Sequence, residues 1–328
     1  MSYNQFQFPS WDHEKAKVDA RKGRYGPHNV NYSVYKSNCE IFRAGGYLTV
    51  SGKKVALPAN DPMISETVVY DKPLSSAGHP VVPGSTKTSV VNQDSMLVAK
   101  DMIEAGLNPA VLNLASAYHA CGGYDRGSNA QEESLCRVST LSRSLYQYYS
   151  EESAAECSAP FIRRAYPLHI HYGGIYSPGV TVFRNMSNGF ALLEEPFQVG
   201  VISVAALNFR DTNRYANDNL EYRADDGGFT PEGRAIMQDK IRTIFRIALN
   251  CGHDSLVLGA FGCGAFRLRP ELVAPLFRDI LDEDEFFGRF KDIRFAILEH
   301  GKPEETGVNG KFAPFYEKFN KNKIYEKG

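Results

Sequence analysis

The sequence has little that would tie it to a membrane, a disulfide frame or a metal. Its 328 residues include six cysteines, Cys39, Cys121, Cys136, Cys157, Cys251 and Cys263, and no two of them form a CxxC pair. In a chain of this size they read as reduced thiols of an intracellular protein, not as disulfides or a zinc site. No apolar run approaches the length of a bilayer span, and the start, M-S-Y-N-Q-F-Q-F-P-S-W-D, lacks the basic n-region and apolar h-region of a secretory signal. The formal net charge is −1, which gives no general attraction to nucleic acid, so an anionic ligand must be held by a local site. Internal repeats, low-complexity tracts, linkers and heptads are absent as well. The expectation is a soluble monomer in the cytoplasm, or in the nucleus of a eukaryote.

What is present is an alternation of helical and strand-like segments. Residues 11–40 are polar and basic and predict one or two helices on the rim of a core formed later in the chain. I-S-E-T-V-V-Y at 64–70 reads as a strand, and 74–89 as loop. Asn92 or Asp94 caps a helix through Met96, Leu97, Ala99, Met102 and Ile103, ended near Gly106. Val111–Ala115 is short and apolar, as in a buried central strand. Leu135, Val138, Leu141 and Leu145 form a helical stripe. Gly179–Phe183 and Val199–Leu207 read as strands, and 208–229 as a polar loop. Thr230-Pro231-Glu232 opens a helix with a hydroxyl cap and a proline at the first position, running to about Asn250. A strand at 255–260, a helix at 270–282 and a strand at 293–298 follow. This order predicts one α/β domain with a largely parallel sheet between helices. We divide it into an N-terminal helical extension, 1–60, packed on a core of 61–328.

Two glycine loops follow buried strands, the place where ligands collect in such sheets. The first is Cys121-Gly122-Gly123; alone it reads equally well as a plain turn. The second, G-A-F-G-C-G-A-F at 259–266, places Gly259, Gly262 and Gly264 where backbone N–H groups can nest around a diphosphate. It has neither the Gly-Lys-Ser/Thr end of a Walker loop nor a dinucleotide spacing. The third element is Gln131-Glu132-Glu133. Acids in a first helical turn are common because they complement the dipole. Adjacent helical side chains also diverge by about 100°, so one Glu faces a given bond and the other positions it. Together the three elements predict a diphosphate held across two loops that face one groove, with an acid at its ribose end.

With these residues the chain resembles the microbial-type poly(ADP-ribose) glycohydrolase family, a branch of the macrodomain superfamily. That family's signature is a glycine triplet, a short spacer and Gln-Glu-Glu. Here Cys121-Gly122-Gly123 and Gln131-Glu132-Glu133 fit the frame at every position but one. N-L-A-S-A before it, S-L-C-R-V-S-T-L after it, Y-S-P-G-V-T-V-F-R at 176–184 and the second loop are similar as well. The resemblance implies a three-layer macrodomain that binds ADP-ribose with no metal or cofactor. It implies Glu133 as catalytic acid, Glu132 on the ribose hydroxyls, and Gln131, Cys121, Gly122 and Gly123 lining the ligand. It further implies Gly259, Gly262, Cys263, Gly264 and Ala265 around the diphosphate, and Phe266 near the distal ribose.

Cleavage at an anomeric carbon passes through an oxocarbenium-like state and needs the leaving oxygen protonated, which calls for a carboxyl held above its usual range by burial or nearby charge. The expected activity is release of ADP-ribose from poly(ADP-ribose) or ADP-ribosylated macromolecules. One departure stands out: His119-Ala120-Cys121 replaces the family's Asn-Pro-Gly. A Cys at positive φ costs about 1–3 kcal/mol, so a slightly shifted loop is expected, with His119 a surface or structural residue. Two alternatives share the fold, a non-cleaving ADP-ribose reader and a mono-ADP-ribosyl hydrolase. A nicotinamide oxidoreductase lacks its fingerprint.

Overall fold

The computed structural model describes residues 8–20, 29–58, 61–75, 86–211, 219–299 and 310–320. By backbone proximity the chain forms two compact units, each assembled from three separate segments. The first comprises 1–68, 118–167 and 177–201; the second comprises 69–117, 168–176 and 202–328.

In the first unit, α1 (His13–Ala20) and α2 (Val30–Ala44) lead into a hairpin of β1 (Gly46–Leu48) and β2 (Lys54–Ala56). Asn29 caps α2 through its side chain, and Gly45, at φ 72°, ends it in the left-handed region that a Cβ disfavours. Val34, Tyr35, Asn38, Ile41 and Phe42 bury one face of α2. The stretch expected as a strand at 64–70 is shorter. Pro62 starts a helical turn, α3 (Pro62–Ser65), and only β3 (Val68–Tyr70) is extended.

The leucine stripe that predicted one helix after the acid pair is split into α5 (Gln131–Val138) and α6 (Leu141–Leu145). The break is tertiary in origin. Ser139 bridges to Val182, Thr140 N donates to Thr181 O, and Thr181 N returns a bond to the Thr140 hydroxyl at 3.0 Å. A strand neighbour thereby takes hydrogen bonds that a continuous helix would have used. A short helix, α7 (Glu151–Glu156), follows.

A seven-stranded sheet has the order β3-β6-β7-β5-β8-β9-β4, where β4 is Lys87–Val91, β5 Pro109–Leu114, β6 Gly174–Asn185, β7 Ala191–Val204, β8 Ser255–Leu258 and β9 Asp292–Ala296. Most of β6 and β7 belongs to the first unit, whereas β4, β5, β8 and β9 belong to the second. Strands β5, β8, β9 and β4 are parallel, with Ala110 opposite Leu256 and Ile293 opposite both Leu256 and Thr88. Parallel strands are covered on both faces, so they read as unbroken apolar runs. Leu112, Leu256, Leu258 and Phe295 share one core with α8 (Pro231–Asn250) and α9 (Pro270–Leu281). Val111 and Val257 point the other way by strand parity and are also buried, on the side of the sheet against which α4 (Ser95–Glu104) packs. Truncating any of these buried leucines to alanine should cost about 2–5 kcal/mol.

Caps form where the sequence indicated. Asp94 takes the N–H groups of Met96 and Leu97, and the Thr230 hydroxyl takes that of Gly233 at 3.1 Å. Strand β4 falls at the end of the stretch expected as loop. Phe312–Phe319, here α10, packs against it and against α9. No described helix is long and apolar enough to cross a membrane.

Candidate active site

In the first unit the first glycine loop and the acid pair are bound to each other. Cys121 (φ 61°) and Gly122 (φ 58°) are consecutive left-handed residues. They form a tight turn in which Gly122 N donates to His119 O and Tyr124 N to Cys121 O. The shifted loop expected for Cys121 is therefore not what forms. The turn keeps the conformation a glycine would take, and the residue carries the strain. Its side chain is fully buried, and that burial, with a thiol contact to Cys136, pushes its thiol well up.

Glu133 spans the loop. Its Oε1 accepts the N–H of Gly123 at 2.9 Å, and its Oε2 accepts the N–H of Ala130, also at 2.9 Å. The second bond is one half of a capping box; Ala130 has no polar side chain to supply the other half. Glu132 and Glu133 are both buried and converge on Gly122. A Cβ there would overlap Glu133 Oε1 and come within 3.3 Å of Glu132 Oε2. Glycine at 122 is thus required twice, for its backbone angle and for the approach of two carboxylates. Gln131 is half-buried and His119 exposed.

Sequence reasoning missed the residues that hold this arrangement. The Arg137 guanidinium, one turn beyond Glu133, donates to Ser128 O at 2.6 Å and to Asn129 Oδ1 and Ser134 Oγ at 3.0 Å. Burial pushes it below its usual range and the Glu133 charge works against that. An acid four residues before an arginine was a visible signal. Asn38 on α2 donates to the Tyr124 hydroxyl and to Arg137 O, and accepts from Arg184 Nε at 2.7 Å. Nothing in the sequence marked Asn38. The hydroxyl of Tyr166 is buried without a hydrogen-bond partner among the described residues, and its ring stands edge-on to Tyr149, 5.7 Å away.

In the second unit the loop at 259–266 leaves β8 and turns sharply. Phe261 N donates to Gly259 O, Cys263 N to Ala260 O and Leu268 N to Gly262 O. Gly262 takes φ 75° and has Ala206 Cβ close to where its own Cβ would be. Gly264 borders open space and Gly259 has only ordinary contacts, so packing does not require glycine at either. Among the described residues the N–H groups of Gly264, Ala265 and Phe266 have no acceptor. Three consecutive free donors suit an anionic oxygen cluster. Phe266 O is held by Phe209 N at 2.9 Å, and Cys263 is buried, with its thiol pushed up by that burial.

Two kinds of chemistry are thus available: a buried carboxylate pair fixed against a glycine that admits no side chain, and a row of backbone donors. Known proteins resemble this chain in sequence and in fold. Residues 36–185 match the microbial-type PARG catalytic domain. The fold is similar to the poly(ADP-ribose) glycohydrolase of Thermomonospora curvata, at 28% identity and TM-score 0.68, covering 88% of this chain and 99% of that one. The same protein bound to the inhibitor ADP-HPD gives 29% and 0.67 with the same coverage. The Deinococcus radiodurans glycohydrolase in complex with ADP-ribose gives 25% and 0.59, over 81% and 98%. No curated protein matches by sequence.

Proposed function

We propose that this chain, which belongs through residues 36–185 to the microbial-type poly(ADP-ribose) glycohydrolase family, hydrolyses the ribose glycosidic bond of poly(ADP-ribose) and releases ADP-ribose. The observation that carries the reading is the Glu133 carboxylate fixed by Gly123 and Ala130 beside Gly122. With one backbone donor on each oxygen, the carboxyl plane cannot rotate, yet each oxygen keeps a second lone pair. A proton on one of these is delivered to the departing ribose oxygen as the glycosidic bond breaks. The resulting carboxylate removes a proton from water, whose oxygen adds to the oxocarbenium carbon. Glu132 holds ribose hydroxyls, Gln131 and the 121–123 turn line the sugar, and the free N–H groups of Gly264, Ala265 and Phe266 take diphosphate oxygens. Gly259, Gly262 and Cys263 shape that second loop, and Phe266 packs near the distal ribose.

The working unit is a monomer in the cell interior, consistent with six free thiols, five of them buried. Incubation with automodified poly(ADP-ribose) polymerase tests the reading. Free ADP-ribose in solution is the expected result. Retention of the modified protein without release would identify a reader, and release from mono-modified but not polymeric substrate would identify a mono-ADP-ribosyl hydrolase.

A further inference from the structure

A polymeric anion needs more than the site of cleavage, and a chain with net charge −1 offers no general attraction to one. One segment of the first unit is built for local attraction. Residues 160–164 are exposed without interruption. Two of the few exposed large hydrophobic residues, Phe161 and Ile162, lie there side by side, with Ile162 at 55% exposure. Arg163 and Arg164 follow directly, and neither makes an ion pair or hydrogen bond among the described residues; the Arg163 guanidinium lies only over the Tyr148 ring, 6.0 Å from its centre.

The segment is held in place. Ile162 N donates to Gln147 O and Ala165 N to Tyr148 O, both at 2.8 Å. It also adjoins the first glycine loop. Tyr149, next to its anchor at Tyr148, lies 6.2 Å from His119 and 5.7 Å from Tyr166, and His119 O accepts the N–H of Gly122. Exposed apolar surface is usually hidden or used. An aromatic ring beside two uncompensated guanidinium groups matches the alternation of base and diphosphate in an ADP-ribose chain.

We propose that residues 160–165 are a docking strap for the ADP-ribose units of a polymer that lie beyond the one being cleaved, with Phe161 stacking on an adenine and Arg163 and Arg164 pairing with a diphosphate. This rests on the polymer reading above. The test uses the full chain, free ADP-ribose and a labelled ADP-ribose oligomer of several units, with Arg163→Ser/Arg164→Ser and Phe161→Ala as separate variants. Exposed positions leave folding intact, which a melting curve verifies. Free ADP-ribose should bind all three proteins alike. Oligomer affinity should fall about tenfold or more at low salt in the double variant, with a salt slope shallower by about 1–2, and about fivefold or more in Phe161→Ala. Unchanged oligomer binding in both variants, with free ADP-ribose still bound, would overturn the strap alone. A wild-type protein that binds neither ligand would remove the underlying reading, and the strap with it.

Discussion

The backbone N–H of Gly123 donates to Glu133 Oε1 at 2.9 Å, so the residue assigned to proton delivery also ties the glycine turn to the start of α5. On the proposed function, catalysis and local architecture share one side chain. Replacing Glu133 by Gln puts an amide NH2 against one of two buried N–H donors. Such a mismatch costs about 1–3 kcal/mol, so Glu133→Gln should lower the urea midpoint as well as abolish turnover. An unchanged midpoint would show that these bonds are not made in solution.

Gly122→Ala should be more damaging than an alanine at a surface turn. Left-handed backbone costs a non-glycine residue about 1–2 kcal/mol, and the added Cβ would displace the Glu133 carboxylate. We expect loss of activity and a stability loss of about 2–4 kcal/mol, the displaced hydrogen bonds adding to the strain. Activity retained at the wild-type level would contradict the packing described.

Cys121 gives the opposite expectation. Cys121→Gly relieves the left-handed strain but removes a buried side chain worth about 1 kcal/mol, so stability should stay within about 1 kcal/mol of wild type. Cys121→Val keeps the bulk but adds a β-branch at φ 61°, a conformation such residues avoid. Thermal denaturation of the pair should rank Gly well above Val; the reverse order would mean the turn had adapted.

Lys240 predicts a pH dependence. It is buried on α8, at helical spacing from the buried Ile236 and Ile244, has no hydrogen bond or ion pair among the described residues, and burial pushes it down to about 7. Folded lysine thus binds fewer protons than unfolded lysine between about pH 7 and 10.5, and stability rises with pH across that window. Below pH 7 the full penalty of the buried charge applies. Lys240→Met should therefore stabilise the protein by about 3–5 kcal/mol at pH 6, and by less at pH 9. Equal gains at the two pH values would refute the buried-charge account.

The elements legible in the sequence are those fixed locally. Thr230-Pro231 marks the start of α8 because cap and proline act within one turn, and β5 and β8 are readable because central parallel strands need apolar side chains on both faces. Elements fixed by distant partners were not legible. The α5–α6 break depends on Thr181, forty-one residues past Thr140; β4 is polar in text and becomes a strand by pairing with β9. The candidate residues divide in the same way. The acid pair and each of the glycine loops are contiguous motifs, whereas Asn38 and Arg184 reach the first loop and the acid pair only through folding, from 86 residues before Tyr124 and 146 residues after Asn38.

The most direct test is a crystal structure with ADP-ribose bound. The account predicts diphosphate oxygens on the N–H groups of Gly264, Ala265 and Phe266, with the anomeric carbon of the distal ribose beside the Glu132 and Glu133 carboxylates. A ligand whose distal ribose lies away from both carboxylates, or whose diphosphate avoids the 259–266 loop, would contradict it.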